Sequence, residues 1–397
     1  MGPDGYASYF FKKAWNIVGV NFMGAIKKFF YSCSLLKQTN HTVIALVPKG
    51  THATSLGDYR PIACCNGFYK VITEILSCRL RPILGTIVDQ VQVAFVEGRS
   101  MTENIHLAQE LLRQYNRKRV APRRLLKIDL KKAFDSVDWS FLESVFHGLN
   151  FPSKFIHWVM ECITTPSYSI ALNGSLHGFF KGKKGLRRED PLSPFLFVIS
   201  LEYFSRILKG ATDNSKFNFH AKFGALKITY LAFADDLMIF SRGDQTSVVI
   251  LMDCLSNFGK ASGLRMNVDK SCLYTASING QELDNIYGLT NMSMGLMPFC
   301  YLGISLAAQK LKISSYDVFI NKISAYICAW YKASLSYAGR AKLVRAILQG
   351  VECFWLSIFL ISATVTSRVI CLCRKFLWGL KKPLVACRLE QHLPTEK

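Results

Sequence analysis

Two acids stand side by side in the apolar run YLAFADDLMIF, where Asp235 and Asp236 interrupt an otherwise hydrophobic stretch. A carboxylate taken out of water is costly unless something pairs with it, and neighbouring anions repel each other. A third acid, Asp129, lies 106 residues upstream in the alternating segment LLKIDL. If the strands bearing these acids were neighbours in one sheet, three carboxylates would converge. Hard oxygen ligands of that kind suit Mg²⁺, which keeps several waters and takes further contacts from substrate phosphates. Two such ions about 3.5–4 Å apart can activate a hydroxyl and stabilise a departing pyrophosphate, the chemistry of nucleotidyl transfer. The plain alternative is a polar turn joining two strands, and the doublet alone fits both.

The surrounding elements must deliver these acids. LLKIDL alternates as a strand and brings Asp129 to a strand end, while YLAFADDLMIF splits into two short apolar runs, a hairpin whose tight turn displays Asp235 and Asp236. HTVIALVPKG and FCYLGISL read as further strands. SYSIALNGSLHGFF reads as a hairpin, because Asn173-Gly174 supplies the positive φ angles of a two-residue turn. Helical spacing marks residues 9–36, FYKVITEILSCRLRPIL, TENIHLAQELLRQY and DWSFLESVFHGLNF, the last with Trp139, Leu142, Phe146 and Leu149 on one face. PSKFIHWVMECI is the next helix, with Ser153 as its expected N-cap. LFVISLEYFSRILKG, SVVILMDCLSNFGKASG and the region from Tyr316 complete the helical set. Strands and helices do not alternate regularly, which favours an α+β fold over a doubly wound sheet.

Composition narrows the function. The chain has 397 residues, 50% of them hydrophobic, enough for two or three packed units at roughly 100–200 residues each. Its 49 Lys and Arg against 27 Asp and Glu give a net charge of +22, which points to a polyanionic partner or to a generally basic surface. The basic segments RKRVAPRR and KGKKGLRR lie on either side of Asp129, and Arg340, Lys342 and Arg345 add a third cluster. Thirteen cysteines include no CxxC pair, so reduced thiols of an intracellular protein are expected rather than a zinc site. The first residues lack the pattern of a signal peptide. CFWLSIFLISATV falls short of the ~20 residues of a spanning helix and reads as a buried helix or strand, so no membrane is expected.

The order of several segments carries a resemblance. IDLKKAFDSVDW, GLRREDPLSPFLF, FADDLMIF, GLRMNVDKS and YLGISL occur in the order of the motifs of non-LTR (LINE-type) retrotransposon reverse transcriptases, as found in plants. DYRPIACCNGFYKVITEILSCRLRPIL and AFVEGRSMTENI look like the upstream fingers motifs, and SYAGRAKLVRAIL looks like the thumb. The resemblance spans nearly the whole chain. It implies a right-hand polymerase with fingers (residues 1–122), a palm of antiparallel sheet plus helices (123–305) and a helical thumb (306–397). It implies an RNA template, a DNA primer and dNTPs as partners, two Mg²⁺ ions for which Mn²⁺ can substitute, and a nuclear location. By motif matching, Asp129 and Asp235 would be the principal metal ligands, with Asp236 beside them. Phe134 looks like the aromatic gate that excludes a 2′-hydroxyl, Lys49 and Arg60 like fingers residues gripping the triphosphate, and Lys270 like the lysine that protonates departing pyrophosphate.

Two positions depart from the pattern. The family motif usually reads GLRQGDPLSP, whereas residues 185–194 read GLRREDPLSP, with Arg188 in place of a nucleotide-positioning Gln and Glu189 in place of Gly. Arg188 can still bind phosphate. If the family Gly uses positive φ, Glu189 would be strained, and its charge would repel a triphosphate. Glu97 likewise replaces a common Pro. These departures, and the absence of upstream endonuclease and downstream regions seen in relatives, lead to the expectation of an excised or decayed copy whose polymerase activity is impaired. The alternative function is a catalytically inactive nucleic-acid-binding remnant that keeps the fold.

Overall fold

The N-terminal apolar periodicity folds as two helices, α1 (Ser8–Lys13) and α2 (Trp15–Ser32), which break at Ala14. In this computed structural model, residues 2–379 are described, except 51, 116, 118–120, 225, 279, 310, 332 and 360. β1 (His41–Pro48) and β2 (Tyr59–Cys65) pair antiparallel. α3 (Gly67–Ile87) buries Tyr69, Ile72, Leu76, Leu80 and Leu84, one apolar stripe at the helical repeat. α4 (Met101–Leu112) starts at Ser100, whose hydroxyl accepts from the Thr102 N–H.

β3 (Arg123–Ile128) and the short α5 (Ala133–Ser136) follow. α6 (Trp139–Gly148) is capped by Asp138, whose carboxylate accepts from the Phe141 N–H at 3.0 Å. Leu142 and Phe146 are fully buried as the spacing predicts, while Trp139 and Leu149 flank the core. α7 (Ser153–Thr164) corrects the expected cap: Pro152 holds the N-cap position in an extended conformation, and Ser153 is already inside the first turn. β4 (Ser167–Leu172) and β5 (Ser175–Lys181) form the expected hairpin, with φ of 49° at Asn173 and 82° at Gly174. α8 (Ser193–Thr212) is apolar almost all round and correspondingly buried.

β6 (Tyr230–Phe233), β7 (Asp236–Arg242), α9 (Gln245–Ser262), β8 (Cys272–Ala276), α10 (Gly280–Thr290) and β9 (Ser293–Met294) complete this unit, residues 1–99 and 118–294. Among the described residues it holds two sheets, ordered β2-β1-β4-β5 and β6-β7-β3-β8-β9. The second is antiparallel apart from its β8–β9 edge and carries α8 and α9 in its core.

The second unit joins residues 100–117 to 295–397. FCYLGISL is a hairpin instead of one strand: β10 (Phe299–Tyr301) and β11 (Ile304–Leu306) turn at Leu302 and Gly303, with φ of 50° and 78°. The helices α11 (Asp317–Trp330), α12 (Tyr337–Leu343), α13 (Gln349–Ile358) and α14 (Ala363–Leu377) follow. CFWLSIFLISATV is thus neither one helix nor a strand but the end of α13 and the start of α14, with Trp355, Ile358 and Val365 buried. By packing, α4 belongs with the C-terminal helices. The last residues of the expected thumb, 380–397, lie outside the described residues, as do 118–120 of the basic segment RKRVAPRR. No described helix is long and apolar enough to cross a membrane.

Candidate active site

β3 is the hinge of the site. It pairs antiparallel with β7 on one side and β8 on the other, with Ile128 opposite Leu237 and Lys127 opposite Cys272. β3 ends at Ile128, so Asp129 follows directly on the residue paired with Leu237, next to Asp236 at the start of β7. β6 and β7 close on each other through Phe233 and Asp236, leaving Ala234 and Asp235 as a two-residue turn. The doublet therefore sits at a hairpin tip, as the two apolar runs predict, and Asp129 at the adjoining strand end. Ala234 has φ of 50°, the positive value that the first loop residue of such a turn requires and that glycine usually supplies.

The electrostatics at Asp236 are set by neighbouring acids and one lysine. Burial of its surroundings raises the Asp236 carboxyl above the usual carboxylate range, and the charges of Asp235 and Asp129 raise it further against the opposing pull of Lys127. Among the described residues, no three His, Cys, Asp or Glu side chains are gathered closely enough to hold a cation as they are placed. The donor set is nevertheless of the kind a hard divalent cation takes: all three groups are carboxylates, and added positive charge would favour the ionised form of Asp236.

The remaining candidates are placed around this centre. Phe134, on α5, is half-buried and stacks on Phe197 of α8, with ring centroids 4.9 Å apart. Its carbonyl accepts from the Leu186 N–H at 2.7 Å, tying it to the GLRREDPLSP segment. There Gly185 crosses the backbone of Asp135 so closely that a Cβ would meet the Asp135 carbonyl oxygen at 2.8 Å. Arg188 Nη2 lies 3.8 Å from Asp135 Oδ2, and both line a groove of about 340 Å³ with Lys183, Lys184 and Tyr168. Glu189 has φ of 67°, so the strain expected from a side chain at this position is present. Lys49 and Arg60 stand together at the open end of the β1–β2 pair, where Lys49 Nζ donates to the Gly57 carbonyl at 2.6 Å. Neither is tied to the acids by a hydrogen bond or ion pair among the described residues. Lys270 is exposed on the one-turn helix Val268–Lys270. Glu97 is exposed beyond the turn at Phe95.

Three polar residues that the spacing did not single out hold the site. Asn267 Nδ2 donates to Asp129 Oδ2 at 3.2 Å, and its N–H to the Asp129 carbonyl at 2.8 Å. The Asp129 N–H donates to Ser271 Oγ at 3.1 Å. Both lie within GLRMNVDKS, so the segment was flagged and its polar role was not. Gln92 was not flagged. Its Oε1 accepts from the Ala234 N–H at 3.1 Å, inside the acidic turn.

An antiparallel sheet with acids at one strand end and one hairpin tip, backed by two helices, is the palm of a right-hand polymerase. The family model for reverse transcriptase (RNA-dependent DNA polymerase) matches residues 47–306, and the chain belongs to that family. Its relatives are of the non-LTR retroelement kind. It is 24% identical over 351 residues to the transposon TX1 uncharacterized 149 kDa protein of Xenopus laevis, covering 87% of this chain and 26% of that one. It is 26% identical over 235 residues to the Pol polyprotein of the type-2 retrotransposable element R2DM of Drosophila melanogaster, covering 59% and 21%. The chain thus spans about a quarter of these curated relatives. Among solved structures, apo telomerase of Candida tropicalis, truncated from its C-terminal domain, aligns with a TM-score of 0.47 at 15% identity, covering 76% and 60% of the two chains. Reverse transcriptases generally use divalent metal ions.

Proposed function

We propose that this chain is an RNA-directed DNA polymerase that adds deoxynucleotides to a primer 3′-hydroxyl on an RNA template. The observation that carries the reading is the pairing of β3, which ends one residue before Asp129, with β7, which begins at Asp236, inside a matched reverse transcriptase domain. Asp129, Asp235 and Asp236 would hold two Mg²⁺ ions, with Mn²⁺ able to replace them, which supply activation of the attacking hydroxyl and charge stabilisation of the leaving pyrophosphate. The rest is done by this chain's own side chains. Phe134, held by its stack on Phe197, excludes a 2′-hydroxyl from the incoming sugar. Lys49, Arg60 and Arg188 bind triphosphate oxygens, the arginines as planar forks and the lysine as a point charge. Lys270 delivers a proton to the departing pyrophosphate. Residues 1–122 act as fingers, 123–305 as palm and 306–397 as thumb, and the net charge of +22 supports binding of template and primer phosphates without sequence readout. The resemblance to non-LTR retrotransposon reverse transcriptases supports a nuclear location.

Primer extension on an RNA template with Mg²⁺ tests the reading. The unmodified chain is expected to extend the primer, and Asp235→Asn to lose at least about a thousandfold in rate while still shifting template-primer in a gel, a loss of about 4 kcal/mol. An unmodified chain that shifts template-primer and yields no product would overturn the enzyme reading. Glu189 at positive φ favours the second reading, a nucleic-acid-binding remnant, and that same outcome is the one it expects.

A further inference from the structure

The segment between α3 and α4 is built as a strap against the acidic hairpin. The Val93 N–H donates to the Ala232 carbonyl at 3.3 Å and the Ala232 N–H to the Val91 carbonyl at 3.2 Å, so residues 91–93 run along the outer edge of β6 as an added strand. One side chain pins the strap in place. Arg99 donates from Nη1 to the carbonyls of Asp89 and Gln92 at 2.5 and 2.6 Å, and from Nη2 to those of Val88 and Gly85 at 2.8 and 3.1 Å. The far end is held too, for the Asp89 N–H donates to Glu202 Oε2 and Lys209 Nζ pairs with Asp89, both from α8.

Gln92 projects from this strap with 2% of its surface exposed. Its Oε1 accepts two backbone N–H groups, Ala94 at 3.0 Å and Ala234 at 3.1 Å. Since both partners are donors, the oxygen must face them, which fixes the amide's orientation. Nε2 is buried and has no acceptor among the described residues. An apolar side chain of this size would avoid that unmet donor, so what the amide contributes is the acceptor. That acceptor holds the backbone of Ala234, the non-glycine residue at positive φ immediately before Asp235 and Asp236. A strained turn persists only where its surroundings over-determine it.

We infer that Gln92 is a positioning residue for the metal-binding carboxylates: by holding the Ala234 N–H it fixes the left-handed turn and with it the direction of Asp235 and Asp236. The inference rests on the polymerase reading, because it assigns those acids to cation binding. Outer-shell partners of metal ligands are worth about 10–100-fold in affinity or activity, and Gln92 acts one step further out through the backbone.

The test measures Mn²⁺ binding by electron paramagnetic resonance, with primer extension alongside. Gln92→Met keeps the volume and removes the acceptor. It is expected to weaken Mn²⁺ binding and lower kcat by about tenfold or more, while KM for dNTP and affinity for template-primer stay within a few-fold. Gln92→Glu keeps an acceptor for both N–H groups and is expected to restore most of the Mn²⁺ affinity, which a general packing defect would not allow. Hydrogen exchange at the Ala234 amide needs no variant, and in the unmodified protein it is expected to be strongly slowed. The inference is overturned by a folded Gln92→Met chain that binds Mn²⁺ as tightly as the unmodified one, or by an Ala234 amide that exchanges as an exposed one. An unmodified chain that binds no Mn²⁺ and extends no primer instead defeats the functional reading beneath it.

Discussion

Two short segments of the palm share an unusual build and differ in what surrounds it. In one, Ala234 at φ of 50° precedes Asp235 and Asp236; in the other, Glu189 at φ of 67° precedes Asp190. Asp190 is buried and fully engaged. The Tyr69 hydroxyl donates to it at 3.0 Å, and it accepts from the Leu192 N–H at the start of α8. Arg187, stacked 3.9 Å from the Tyr69 ring, sits in its field and donates to Asn40, Thr42 and the Cys162 carbonyl. Burial alone would depress the Arg187 guanidinium, but the titratable groups packed around it, Tyr69 and Asp190 among them, hold it above its ordinary value. Asp236 has the opposite environment, with two further carboxylates near it. An acid whose charge is answered inside the fold holds the fold's shape. Asp236 has the charges of Asp235 and Asp129 against it and only Lys127 beside it, so added positive charge would favour its ionised form.

The largest test of this contrast lies on the answered side. Arg187→Met should destabilise the protein by about 3 kcal/mol, because it leaves Asn40 Oδ1 and the Cys162 carbonyl buried without the donor they now share. Chemical denaturation measures it, and a loss below 1 kcal/mol would mean that the network is ornamental. A smaller effect is expected at the neighbouring strain. Glu189→Gly removes a side chain from the left-handed region and should stabilise by about 1 kcal/mol, and with Arg188→Gln beside it should raise the primer-extension rate; unchanged rates would place any defect elsewhere. The smallest concerns Asp236. A carboxyl raised in the folded state favours folding below the unfolded value, 3.8, and that contribution is lost as pH rises through the folded value. Asp236→Asn should therefore melt higher than the unmodified chain at neutral pH, with the gap closing as pH falls toward 3.8. Equal melting temperatures at neutral pH would show that its charge is already answered.

How much of this could be read in advance follows from the range of the forces. Asp129, Asp235 and Asp236 were legible because an acid in an apolar run contradicts its surroundings locally. The hairpins at Asn173-Gly174 and at the acidic turn followed from alternation. At FCYLGISL the turn falls on Leu302 and Gly303, and Leu302 at positive φ made a lone glycine look like part of one strand. Ser153 misled because Pro152 fills the cap position with an already suitable backbone. Gln92 was invisible for a different reason. Its partner is a backbone N–H 142 residues away, and a backbone group leaves no mark in sequence. The same holds for the joining of α4 to the C-terminal helices, which long-range packing alone decides.

The strap along β6 also bears on how the sheet meets other molecules. An open strand edge invites pairing with a foreign strand, and residues 91–93 occupy that edge beside the acids. At Ala232, whose N–H and carbonyl are already taken by residues 91 and 93, a second chain finds no free pairing on this edge.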